Sequence, residues 1–270
     1  MDQVNTALNP FVQQHIDAIL YKSYKKITRN RHELIWSFER MIDSAGNNCI
    51  LFDTNIFSPV SANHFPQILE TNMFDKHEFF NLEEQDMLEG AKNYKEVLCS
   101  ILKKYPKITV TPQVFSELGL ELNCWSNIQP YFEHSPLIMD DNRKDLINKL
   151  SGFMKNYILY LQANSWIEKI LQSRMIRVNE RKYSCLLEII NSFNTKSQLN
   201  DRMIVHDAII YSQKEPVTLI TEDFHLNDIG SNLEDRRLEI ERIFDKRIII
   251  RNKQNWHNYL VYSLGFEFFN

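Results

Sequence analysis

The sequence predicts an α/β fold: a central parallel, twisted sheet with helices on both faces, a helical segment in front of it and helical insertions within it. Three observations predict this. Four short β-rich runs, Cys49-Ile50-Leu51-Phe52, Ile108-Thr109-Val110-Thr111, Val217-Thr218-Leu219-Ile220-Thr221 and Arg247-Ile248-Ile249-Ile250, are separated by long stretches of helical periodicity. The first run is continuously apolar, as in a strand covered on both faces. The first three runs lead into acidic residues, and ligands of open parallel sheets sit outside the carboxyl ends of the strands.

Taken in order, residues 11–43 read as helices. Phe11, Ile16, Ile19 and Leu20, then Leu34, Ile35, Phe38, Met41 and Ile42 recur at helical spacing, interrupted by the polar run from Thr28 to Arg31. This gives a helical N-terminal segment over residues 1–45. The turn-like Ala45-Gly46-Asn47-Asn48 introduces the first strand and Asp53 ends it. The domain then spans 46–270, with helical insertions at about 57–104 and 124–197. The first contains the helical pattern from Glu83 to Lys104. The second is almost wholly helical over 139–197, with a Leu146, Leu150, Phe153, Ile158, Leu161 stripe followed by Trp166, Ile167, Ile170 and Leu171. There is no internal repeat.

Composition excludes several classes. The chain has 270 residues with 43% apolar and 24% charged residues and only 6 Gly and 8 Pro, which excludes a collagenous or disordered chain. With 31 Lys and Arg against 35 Asp and Glu, no global basic field points to nucleic acid, so a polyanion must be met by local patches. The cysteines, Cys49, Cys99, Cys124 and Cys185, form no C-x-x-C pair and read as reduced thiols of a cytoplasmic protein. No basic leader followed by an apolar stretch begins the chain and no long apolar window follows, so neither secretion nor a membrane span is expected. H-E-x-x-H, G-x-G-x-x-G, Walker A and G-x-S-x-G are all missing.

The acidic residues carry the chemistry. Asp53 begins Asp53-Thr54-Asn55. Glu117 lies in the early turns of a helix begun by Pro112, a residue suited to a first helical turn. Asp201 opens the helix Leu199-Asn200-Asp201-Arg202-Met203-Ile204, and Asp223 ends Thr221-Glu222-Asp223. Four converging carboxylates repel one another unless a cation lies among them. An oxygen-only set suits Mg2+ or Mn2+. Two such ions, about 3.5–4 Å apart, activate water and stabilise a leaving oxygen in phosphodiester hydrolysis. Each acid has a competing reading. Asp53, Thr54, Asn55 and Asp201 are good helix caps. Glu121, Asp207 and Glu222 rival Glu117, Asp201 and Asp223, with strand alternation sending Glu222 and Asp223 to opposite faces. Thr54, Asn55 and Thr221 read as groups that orient the acids.

These motifs resemble those of the PIN-domain family of metal-dependent ribonucleases, which includes many toxins of toxin–antitoxin pairs. The resemblance rests on Phe52-Asp53-Thr54-Asn55, on Glu117 within Val114-Phe115-Ser116-Glu117-Leu118, on Asp201 with Ile204 and Ala208, and on Leu219-Ile220-Thr221-Glu222-Asp223. It covers roughly 46–60, 106–122 and 198–252. It implies a PIN-like fold and an endoribonuclease in which Asp53, Glu117, Asp201 and Asp223 hold Mg2+ or Mn2+, leaving 5′-phosphate and 3′-hydroxyl ends. RNA is then the substrate, with DNA open as the target of a defence or repair nuclease, and an inhibitor or other protein as partner. A PIN-fold scaffold that does not cut remains the other reading. An aspartyl-nucleophile phosphatase would need an acid where Asn55 stands. Lys22, Lys25, Lys26, Arg29 and Arg31, interleaved with Tyr21 and Tyr24, are candidate RNA contacts, as are Arg177 and Arg181; a solvated helix face is the competing reading.

Overall fold

A computed structural model describes residues 10–61, 65, 77–133, 141–178, 183–193, 199–222, 232–254 and 260–267. The chain is mixed α/β. The helices α1 (Pro10–Thr28) and α2 (Arg31–Ser44) precede strand β1 (Cys49–Phe52), which passes into the single turn α3 (Thr54–Phe57). Helix α4 (Glu84–Lys104) leads to β2 (Ile108–Thr109), followed by α5 (Pro112–Glu133), α6 (Asp141–Ala163), α7 (Trp166–Gln172), α8 (Ser184–Asn191) and α9 (Leu199–Tyr211). Strand β3 (Val217–Thr221), α10 (Arg237–Phe244), β4 (Arg247–Gln254) and β5 (Leu260–Glu267) complete it. No described helix is long and apolar enough to cross a membrane.

Two compact units are present. One comprises Met1–Leu34, Ser58–Val97 and Leu120–Ser165; the other comprises Ile35–Phe57, Leu98–Gly119 and Trp166–Asn270. The first is helical and built on a buried cluster that includes Ile16, Leu20, Phe79, Met87, Trp125, Phe153 and Tyr157. Trp125 meets Phe153 and Tyr157 edge-on at 5.8 and 5.5 Å, a preferred aromatic geometry. Two glycines admit close contacts there. A Cβ on Gly90 would lie 2.1 Å from the carbonyl oxygen of Ile27, and one on Gly152 would lie 2.1 Å from the Glu84 carboxylate.

The second unit holds the sheet, in the order β2-β1-β3-β5-β4. Strands β2, β1 and β3 are parallel neighbours, with Ile50 opposite Ile108 and Phe52 opposite Ile220. β1 and β3 are buried along their whole length, β1 as its continuous apolar run requires and β3 with Thr218 and Thr221 buried among its apolar residues. The expected central parallel sheet is present in β2, β1 and β3, whereas at the other edge β5 is antiparallel to β3, and β4 antiparallel to β5. The physical reason is the connection. Residues 255–259 are too few for a crossover between parallel neighbours, so β4 and β5 pair as a hairpin. β5 went unread in the sequence, and the run at Arg247 extends further than expected. Conversely the run at Ile108 yields a ladder of two residues, because Thr111 leaves it to start α5.

Candidate metal centre at the sheet edge

The site grows from the end of β1. The Asp53 N–H donates to Ile220 O at 3.0 Å, extending the parallel pairing by one residue, and Asp53 O accepts from Ile56 N at 3.0 Å to begin α3. Asp53 is therefore fixed at the carboxyl edge of the central strands, and it is 2% exposed. A carboxylate so buried must find donors. Oδ1 accepts the Thr54 N–H at 2.6 Å, while Oδ2 accepts the Thr221 hydroxyl at 2.6 Å and the Asn55 amide at 3.4 Å. Thr54, Asn55 and Thr221 all bind the acid they follow or face. The Asp53 side chain thus bonds the first residue of α3 and the Asn55 amide while sitting at the edge.

Glu117 reaches the same place from α5. The Thr111 hydroxyl accepts the Val114 N–H at 3.2 Å and its carbonyl accepts the Phe115 N–H at 3.0 Å, which makes Thr111 the N-cap and Pro112 the first helical residue. One turn later Glu117 Oε1 accepts the Gln113 amide at 3.0 Å. Its Oε2 accepts the Thr54 hydroxyl. Thr54 therefore joins the two acids, with its backbone N–H on Asp53 and its side chain on Glu117. Gln113 was missed in the sequence, although its spacing of four residues from Glu117 is the signal for such a pair.

Asp201 lies in the first turn of α9 and is partly exposed. Chain geometry sets its reach. The far end of α9 carries Tyr211, whose side chain interacts with Cys49 at the start of β1. From Tyr211 back to Asp201 is about 15 Å at 1.5 Å per helical residue, and from Cys49 to Asp53 about 13 Å at 3.3 Å per strand residue. Its rival Asp207 is only about 6 Å from Tyr211 on that scale. Asp207 is 1% exposed and bonded to the buried His206 at 3.0 Å.

Asp223 and Arg181 lie outside the described residues. Glu222 is buried, 7% exposed. Glu121, the rival of Glu117, is held by Lys95 at 2.6 Å and by the Tyr157 hydroxyl at 3.3 Å. Of the basic candidates, Lys26 is buried, its ammonium donating to Ser58 O at 2.9 Å and lying over the Tyr94 ring, a position without reach to an external phosphate. Lys22 and Arg29 are half-buried, and Lys25, also half-buried, sits over the Tyr21 and Tyr24 rings. Arg31 is exposed near Glu96 and Arg177 is exposed.

Among the described residues no group of three or more His, Cys, Asp or Glu side chains is gathered as a metal site. The pair Asp53 and Glu117 fits Mg2+ or Mn2+ in kind. Both supply oxygen, they are linked through one residue, and Mg2+ is commonly held by one or two carboxylates with water and substrate phosphate completing its shell. Comparison with known protein families, curated proteins and solved structures finds no match to this chain. What the fold and the site define is a mixed α/β protein with two linked carboxylates at the edge of its central strands.

Proposed function

We propose that this chain is a PIN-like, Mg2+- or Mn2+-dependent endoribonuclease of the cytoplasm, with Asp53, Glu117, Asp201 and Asp223 as its acidic cluster. The observation that supports it most is the bridge through Thr54, which keeps Asp53 and Glu117 together at the edge where parallel strands bind ligands. Without a cation, such a pairing of acids is electrostatically unfavourable.

Asp53 and Glu117 would hold the cation, with Asp201 and Asp223 completing the set that the sequence motifs imply. The bound cation supplies charge stabilisation of the phosphodiester and activation of water. The rest falls to the chain. Thr221 and Asn55 hold the Asp53 carboxylate at a fixed angle, and Thr54 sets the spacing to Glu117. Attack in line with the leaving 3′ oxygen leaves 5′-phosphate and 3′-hydroxyl ends.

The test is cleavage of end-labelled single-stranded RNA and matched DNA in Mn2+, beside EDTA and the Asp53→Asn variant. Metal-dependent cutting of RNA that is lost in the variant is the expected result. Cutting of DNA alone favours the defence or repair nuclease, and full activity of Asp53→Asn overturns the assignment. A second reading is a PIN-like scaffold that does not cut, its helical unit serving a partner protein. Thermal unfolding with and without Mn2+ separates the two, since a ligand that binds the native state raises its midpoint.

A further inference from the structure

We infer that Gln113 is a positioning residue for the proposed metal site, acting through Glu117; the inference rests on the function proposed above. A Gln and a Glu four residues apart on an exposed helix contribute little. Three features set this pair apart.

The base of Gln113 is rigid. It is the second helical residue of α5, between Pro112, whose φ is fixed by its ring, and Val114, which is fully buried and whose N–H is capped by Thr111. Its amide therefore projects from a first turn that is capped by Thr111 and buried at Val114.

Glu117 is held at both oxygens from two elements. Gln113 Nε2 donates to Oε1 at 3.0 Å, and the Thr54 hydroxyl, from the helix that follows β1, donates to Oε2. With one donor the carboxylate can still swing about its terminal bond. With two its plane is set.

The donor is neutral. The NH2 group faces Glu117, because the amide oxygen against a carboxylate would be repelled. A lysine or arginine here would orient Glu117 equally well but would cancel the charge that attracts a cation. Glutamine orients it and leaves the charge. An ionised carboxylate offers about four lone-pair sites, so Oε1 keeps this bond while remaining open to another partner.

The experiment is a Mn2+ titration of the purified full chain, read by thermal unfolding. It compares the natural protein with Gln113→Met, which keeps length and removes the donor, with Glu117→Gln, and with the double variant. Gln113→Met should leave the metal-free midpoint unchanged and raise the half-saturating Mn2+ concentration about tenfold or more, the usual effect of losing a partner of a metal ligand. In the Glu117→Gln background the same change should have no further effect, because the residue acts through that carboxylate. Half-saturation unmoved by Gln113→Met, or a lowered metal-free midpoint with half-saturation unmoved, overturns the positioning role alone. Equal effects in the two backgrounds overturn it as well. No Mn2+ response in the natural protein overturns both this inference and the function it rests on.

Discussion

The hydroxyl of Thr221 donates to Oδ2 of Asp53 across 2.6 Å, joining the ends of two parallel strands whose residues are 168 positions apart in sequence. Both side chains are buried. Thr221→Val keeps the shape and suits a strand, but removes a donor from a buried carboxylate. A loss of about 1–3 kcal/mol follows from that single change. Urea unfolding of the variant measures it; a midpoint equal to that of the natural protein would show that Asp53 does not depend on this donor.

In the helical unit, Lys95 and Glu121 form a buried pair at 2.6 Å, their side chains 6% and 10% exposed. Lys95→Met leaves Glu121 without its cation, and truncating one partner of such a pair costs about 3–5 kcal/mol. Adding Glu121→Leu should recover much of the loss, since two apolar groups leave no stranded charge. Denaturant unfolding of the two single variants and the double variant completes the cycle.

Gly90 in α4 allows α1 to lie against it. Alanine there would place its Cβ 2.1 Å from the Ile27 carbonyl oxygen, and backbone cannot swing aside as a side chain does. Gly90→Ala is therefore destabilising despite alanine's better helix propensity, by about 1–3 kcal/mol. A thermal midpoint at or above that of the natural protein would contradict this contact.

Alkaline pH should weaken the sheet-bearing unit. Burial pushes the Cys49 thiol up from its ordinary 9.0. Burial, together with the hydrogen bond to Glu215, pushes the Tyr211 phenol above its ordinary 10.0. The folded chain thus keeps protons that the unfolded chain gives up. Stability is fully present below pH 9.0 and falls as pH rises past the two ordinary values. Urea midpoints measured from pH 8 to 11 should decline, and Tyr211→Phe should flatten the upper part of the decline.

Much of the fold was legible because it is written locally. The interruption at Thr28 to Arg31 separates α1 from α2, the apolar runs at Cys49 and Val217 become the two central strands, and the Thr111-Pro112 step becomes a capped helix start. β5 was not legible. Its neighbours are β3 and β4, and nothing within Leu260–Glu267 records that it lies between them. The site divides in the same way. Asp53 and Glu117 stood out by position after a strand and early in a helix. Their joining through Thr54 and the service of Gln113 depend on where β1 and α5 end in space.

By itself the sequence determined the helical pattern and the two central strands, because periodicity, capping and turn chemistry act over a few neighbours. It also determined which acids fall just beyond the strands. The tertiary structure decided which of them meet and which are spent elsewhere. Glu121 went to Lys95, Asp207 to His206, and Asp53 with Glu117 to the sheet edge. The reason is physical: a buried carboxylate is committed by the donor that packing brings to it, and that donor lies tens of residues away along the chain in the pairs with Lys95 and Thr54, but in the adjacent residue for Asp207.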